Sequence, residues 1–167
     1  MKKKLYVLVG APGSGKSTWA QTHLALLLDP VLYVSRDIIR YSLITEGEEY
    51  FSKEKEVYKQ FTSAIRYGLQ EYNSVIADAT HLNENSRTKL LRSLGTSLRD
   101  TEVFAVVIRP TLEDILSQNK MRYGTRTFVP EDQVKKMYFS MTTPTFEEGF
   151  DKIYIYNSNK CTILEKG

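Results

Sequence analysis

The chain has 167 residues, of which 41% are hydrophobic and 26% charged, with one cysteine, two histidines and a net charge of +3. That is the make-up of one globular domain burying roughly 70% of its unfolded surface. Lone Cys161 excludes an intrachain disulfide and fits a reducing, cytoplasmic setting, and so few cysteines and histidines leave no zinc site. No apolar run approaches the ~20 residues of a membrane span, and the mild basicity permits an anionic partner without demanding nucleic acid.

In chain order, the Met1–Lys4 start resembles a signal-peptide leader, but the apolar run after it ends at Gly10. Lys4–Val9 reads instead as a buried strand. Gly10, Ala11, Pro12, Gly13, Ser14, Gly15, Lys16 and Ser17 then spell the complete G-x-x-x-x-G-K-[ST] phosphate-binding loop, and a helix is predicted over Lys16–Leu28. Strand, glycine turn and helix N-terminus, with Thr18 in the first turn, aim backbone N–H groups and the helix dipole at a triphosphate. Lys16 is expected at the β- and γ-phosphates of ATP and the Ser17 hydroxyl on Mg²⁺.

Further strands are predicted over Val31–Val34, Ser74–Asp78, Glu102–Ile108 and Lys152–Tyr156. Helices are predicted over Asp37–Thr45, Lys53–Glu71, Glu84–Leu94, Leu112–Met121 and Pro130–Met141, with Ser52, Asn83 and Thr111 as N-caps. The alternation implies one α/β domain spanning residues 1–167. Its expected form is a P-loop NTPase/kinase fold: a central parallel five-stranded sheet, helices on both faces and an arginine-bearing lid over about residues 120–129. Ligands of such sheets bind beyond the carboxyl ends of the strands.

At those ends stand the other candidates. Asp37, opening a helix after the second strand, is placed to take a proton from an acceptor hydroxyl, and Arg40 three residues on to hold a negative group of the acceptor. Helix capping by Ser35 or Asp37, with solvated arginines, is the bland alternative. Asp78 ends the third strand, where it acts on Mg²⁺ through water, holds the acceptor-binding groups, or merely caps or forms a turn. His81 reads as an ordinary loop or surface histidine. Arg109 faces the cleft or serves structure. Arg122 and Arg126 flank Gly124 in a basic connector that is either a hinged lid over ATP or a solvated loop.

In combination the motifs resemble the kinase domain of phage-type polynucleotide 5′-hydroxyl kinases. The resemblance rests on the phosphate loop with Thr18-Trp19-Ala20, Arg36-Asp37 with Arg40, Asp78 with Leu82-Asn83 and Arg87, Arg122 with Gly124-Thr125, and Val129-Pro130 through Met141. It implies that Asp37 is the general base and Lys16, Ser17 and Arg122 serve the donor. It further implies that Arg40, Asp78 and Arg87 serve the acceptor, and that the metal sits on Ser17 with Asp37 or Asp78 through water. The chain departs from the family at Ile38, where a second acid is common, at Ala79-Thr80-His81, and at Tyr123, an extra lid residue. No phosphatase domain is expected within these residues. The implied activity is transfer of the γ-phosphate of ATP to a 5′-OH nucleic-acid end, DNA or RNA. A small-molecule or nucleotide kinase and a non-catalytic nucleotide switch are the alternatives. A GTPase is disfavoured because Asn119-Lys120-Met121-Arg122 lacks the acid of a guanine-reading motif.

Overall fold

The structure, a computed structural model, describes residues 2–26, 29–158 and 160–167. In chain order it runs β1 (Lys3–Val9), α1 (Lys16–Leu26), β2 (Val31–Ser35), α2 (Arg36–Leu43), α3 (Glu54–Glu71) and β3 (Ser74–Asp78). There follow α4 (Glu84–Leu94), β4 (Thr101–Ile108), α5 (Leu112–Lys120), α6 (Glu131–Ser140), β5 (Lys152–Asn157) and β6 (Lys160–Glu165). Leu27 and Leu28, the end of the first expected helix, lie outside the described residues.

The strands form one sheet in the order β2-β3-β1-β4-β5-β6, parallel except where β6 returns antiparallel to β5. The expected five parallel strands are therefore corrected to six in a mixed sheet. The extra strand is an edge hairpin whose residues are almost all exposed, so no buried face marks it in the sequence.

Strand alternation decides what each helix covers. Leu5, Val7 and Val9 of β1 face one layer, where Phe61, Ile65 and Leu69 of α3 and Leu90, Leu91 and Leu94 of α4 pack. Tyr6 and Leu8 face the other, against Ala20, Trp19 and Leu24 of α1. Each fully buried apolar side chain contributes roughly 1.5–3 kcal/mol. Gly68 lets α3 sit directly on the sheet: a Cβ there would lie 2.7 Å from Val75 Cγ2 and 2.9 Å from Leu32 Cδ2. A third cluster, Ala11, Ile115 and Val134, fastens α5 and α6 to the phosphate loop.

Asn83 and Thr111 cap α4 and α5 as expected, accepting from the N–H groups of Ser86 and Asp114. Ser52 does not cap α3. That helix begins after Lys53 with no side-chain cap, and the Ser52 hydroxyl donates to Glu48 instead.

Candidate active site

The sheet order places β1 between β3 and β4, so the phosphate loop leaves the centre of the sheet. Gly13 (φ 82°) and Gly15 (φ 99°) occupy left-handed backbone, and a Cβ on Gly13 would come within 3.0 Å of the Ile115 carbonyl. Gly10 is as tightly held, its Cα facing Ser14 Oγ and the Ile108 carbonyl. Ser14 Oγ is buried without a hydrogen-bond partner among the described residues. Lys16 folds back, its Nζ donating to the carbonyls of Gly10 (2.9 Å) and Ala11 (3.2 Å). Burial lowers the Lys16 pKa; Asp78 and Asp37 oppose that shift and the nearby charge of Arg122 adds to it. Three of the expected site residues thus lie within electrostatic reach of one lysine.

Asp78 ends β3 beside the first turn of α1. Its Oδ2 accepts from the Tyr33 hydroxyl and from Ser17 Oγ (3.4 Å). Burial pushes the Asp78 carboxyl above its ordinary pKa, with Lys16 and the Tyr33 hydrogen bond pulling it back down. Tyr33, half-buried and bonded to that carboxylate, is raised in turn.

At the end of β2, Ser35 caps α2 by accepting from the Ile38 N–H, which places Asp37 in the first turn. Asp37 is 61% exposed, and its Oδ1 accepts from Arg40 Nη1 and from the Tyr50 hydroxyl (2.7 Å). Among the described residues no donor reaches Oδ2. Arg40 is itself buried, donating to Glu54 through Nε (3.1 Å) and Nη2 (2.8 Å), and lies over the Tyr50 ring at 4.3 Å. Arg36 also pairs with Glu54. An oriented, exposed carboxylate with one free oxygen, close to a phosphate loop, can accept a proton from a hydroxyl.

Other expected residues stand elsewhere. Arg87 is fully buried, with Nε on Glu148 (2.6 Å) and Nη1 on the carbonyls of His81 (3.0 Å) and Thr142 (3.1 Å). A guanidinium committed to the core does not line a cleft, which corrects its expected acceptor role. His81 is buried too, not on the surface, and donates from Nδ1 to the Leu8 carbonyl (2.7 Å). Arg126 sits on α2, its guanidinium 4.3 Å over the Tyr41 ring and donating to the carbonyls of Tyr41 and Ile44. Arg109 lies over Tyr138 at 4.9 Å.

Sequence reasoning missed Glu54, Tyr33, Tyr50 and Asn119. Glu54 reads as a solvated acid in the first turn of a helix, and nothing local ties it to arginines 14 and 18 residues earlier. Tyr33 carries a signal in retrospect: in the β2–β3 register Ser35 pairs with Asp78, which keeps Tyr33 within reach of that acid.

The AAA domain family model, AAA_33, matches residues 5–144. The chain is 27% identical over 156 residues to Transcription factor bHLH140 of Arabidopsis thaliana, covering 91% of this chain and 16% of that protein. A chain in the structure of the Pnkp1/Rnl/Hen1 RNA repair complex is 26% identical with a TM-score of 0.69, over 83% of this chain and 44% of that one. Kti12 of Chaetomium thermophilum in complex with ADP-AlF3 shares the fold at a TM-score of 0.67 and 17% identity, over 93% of this chain and 89% of that one. The chain therefore spans less than half the length of either of the first two relatives. Among the described residues no helix is long and apolar enough to cross a membrane.

Proposed function

The chain belongs to the AAA domain family AAA_33 and has a P-loop kinase fold, and on that premise we propose that it transfers the γ-phosphoryl group of ATP to the 5′-hydroxyl end of a polynucleotide. The observation that carries the reading is Asp37: exposed, held through Oδ1 alone, and near enough to Lys16 to influence its charge. In this reading Oδ2 takes the proton of the 5′-hydroxyl as its oxygen attacks the γ-phosphorus and ADP departs. Lys16 swings from the Gly10 and Ala11 carbonyls to the donor phosphates. Arg122 neutralises charge on the transferred group.

Ser17 Oγ and Asp78 Oδ2 offer two hard oxygens side by side. Magnesium is commonly held by one or two such groups plus substrate phosphates and water, so the residues fit it. Bound there, the metal would neutralise phosphate charge. No cluster of three acids, histidines or cysteines competes for a metal among the described residues.

A polynucleotide acceptor is supported by the likeness to the chain of the RNA repair complex. The cytoplasm is the compartment this reading assigns. The test is label transfer from γ-labelled ATP to matched 5′-OH DNA, 5′-OH RNA, nucleoside 3′-monophosphate and nucleoside. Label at oligonucleotide 5′ ends is expected, and label only in the monomers overturns the acceptor. Asp37→Ala is expected to abolish transfer while ATP binding by calorimetry survives; parallel loss of ATP binding counts against its role as base.

A further inference from the structure

The segment joining α2 to α3 bounds a cavity of about 460 Å³ that the chemistry above leaves unused. Its size falls within the range of small-ligand sites, roughly 300–1,000 Å³. The Tyr41 and Tyr50 rings form a corner, 6.1 Å apart at 66°, so one presents a face where the other presents an edge. The Arg126 guanidinium covers one side of Tyr41. Ile44 supplies an apolar floor, and Glu46 and Glu48 stand at the rim.

Two features choose the ligand. First, aromatic walls beside an apolar floor take a flat, apolar-faced ring. Second, the wall is in contact with the candidate base, because the Tyr50 hydroxyl donates to Asp37 Oδ1. A ring seated in the corner therefore brings a hydroxyl on its attached sugar to Asp37.

We propose that the Tyr41–Tyr50 corner seats the terminal nucleobase of the acceptor, so that stacking presents the 5′-hydroxyl to Asp37; this rests on the polynucleotide kinase reading above. Stacking on an aromatic wall tolerates any base, because every base has a π-face. The site reads the presence of a base and not its identity.

The experiment compares 5′-OH oligonucleotides that differ only in carrying a base or an abasic sugar at the 5′ end. With the wild-type enzyme the abasic end is expected to lose roughly tenfold in kcat/KM, chiefly through KM. Tyr41→Ala should shrink that difference to about twofold, whereas Tyr41→Phe and Tyr41→Trp, which keep a ring, should preserve it. Equal use of both ends by the wild-type enzyme overturns the proposal while leaving the polynucleotide reading intact. An undiminished preference in Tyr41→Ala overturns the location. Absence of transfer to any oligonucleotide, with monomers labelled, overturns the parent reading and this one with it.

Discussion

Arg40 grips both carboxylate oxygens of Glu54, through Nε at 3.1 Å and Nη2 at 2.8 Å, and so presents Nη1 to Asp37. A planar guanidinium held on one edge has little freedom on the other, and its donors are then aimed, not merely nearby. Arg40, expected as an acceptor contact, is in this state the piece that orients the candidate base.

Glu54→Gln tests that chain of support. The amide keeps the size but loses the charge and one acceptor oxygen, so Arg40 gains freedom and Asp37 with it. Small misplacements of catalytic groups can cost about 100-fold. The expected result is a fall in kcat of roughly 10- to 100-fold with unchanged ATP affinity, read by steady-state kinetics beside calorimetry. An unchanged kcat would mean that Asp37 does not depend on this brace.

Legibility followed physics that is local in sequence. Lys16, Ser17 and Asp78 could be placed because strand ends in a parallel sheet converge, and the Ser17–Asp78 hydrogen bond is that convergence realised. Glu54 could not be placed, because its partners belong to another helix and a first-turn glutamate is ordinary on dipole grounds alone. Arg87 carried a readable warning: it stands three, four and seven residues before Leu90, Leu91 and Leu94, on the buried face of α4. A charge at that spacing is either an error of phase or a buried ion pair. β6 gave no such warning, since neither of its faces is buried.

Arg87 should therefore matter for stability before chemistry. Removing one partner of a buried pair leaves the other charged and unpaired, which costs about 3–5 kcal/mol. Arg87→Met is expected to destabilise by that amount in chemical denaturation. The double variant with Glu148→Leu should recover only part of the loss. Glu148 also accepts from the Thr145 N–H (2.6 Å), and Arg87 also satisfies the carbonyls of His81 and Thr142. Full recovery would show that those additional bonds contribute nothing.

His81 makes stability depend on pH. Burial pushes its imidazole from 6.5 down to about 4, with the charges of Arg36, Lys16 and Arg87 adding to the shift. Between those values the unfolded chain binds a proton that the folded chain refuses. Stability contributed by neutral His81 is thus complete above about pH 6.5 and falls as pH drops towards 4, by about 3 kcal/mol in all. Carboxyls that the fold holds below their ordinary pKa, such as Glu54, act in the same direction and the raised Asp78 in the opposite one, so the measurement is a difference between two proteins. His81→Asn tolerates the positive φ of 44° and keeps a donor for the Leu8 carbonyl. Its denaturation free energy should fall less steeply than the wild type between pH 7 and pH 4, and identical slopes would refute the assignment.

Asn119 couples the phosphate loop to the segment that follows α5. Its side chain is buried, donating from Nδ2 to the Val129 carbonyl (2.6 Å) and accepting at Oδ1 from the Val129 N–H (3.1 Å). These two bonds close residues 120–128 into a stapled loop carrying Arg122. The same residue packs under Gly13, where an added Cβ would lie 3.6 Å from Asn119 Cβ. Asn119 thus places the base of the loop directly beside the donor loop. Asn119→Ala opens the staple and leaves two backbone groups of Val129 to find water, at a cost of roughly 1–3 kcal/mol for each that stays unpaired. Because the staple closes a loop whose residues 121–128 are mostly exposed, that cost should appear as local opening more than global unfolding. Limited proteolysis should then cut within residues 121–128 at least several-fold faster, and KM for ATP should rise more than kcat falls. Asn119→Asp separates the bonds: it retains the acceptor for the Val129 N–H but faces the Val129 carbonyl with a carboxylate, so it should behave at least as badly as alanine. Unchanged cleavage and unchanged ATP KM in both variants would show that Arg122 is held by the turn hydrogen bonds of the loop itself, such as Thr125 N–H to the Arg122 carbonyl at 2.9 Å, and not by the staple at its base.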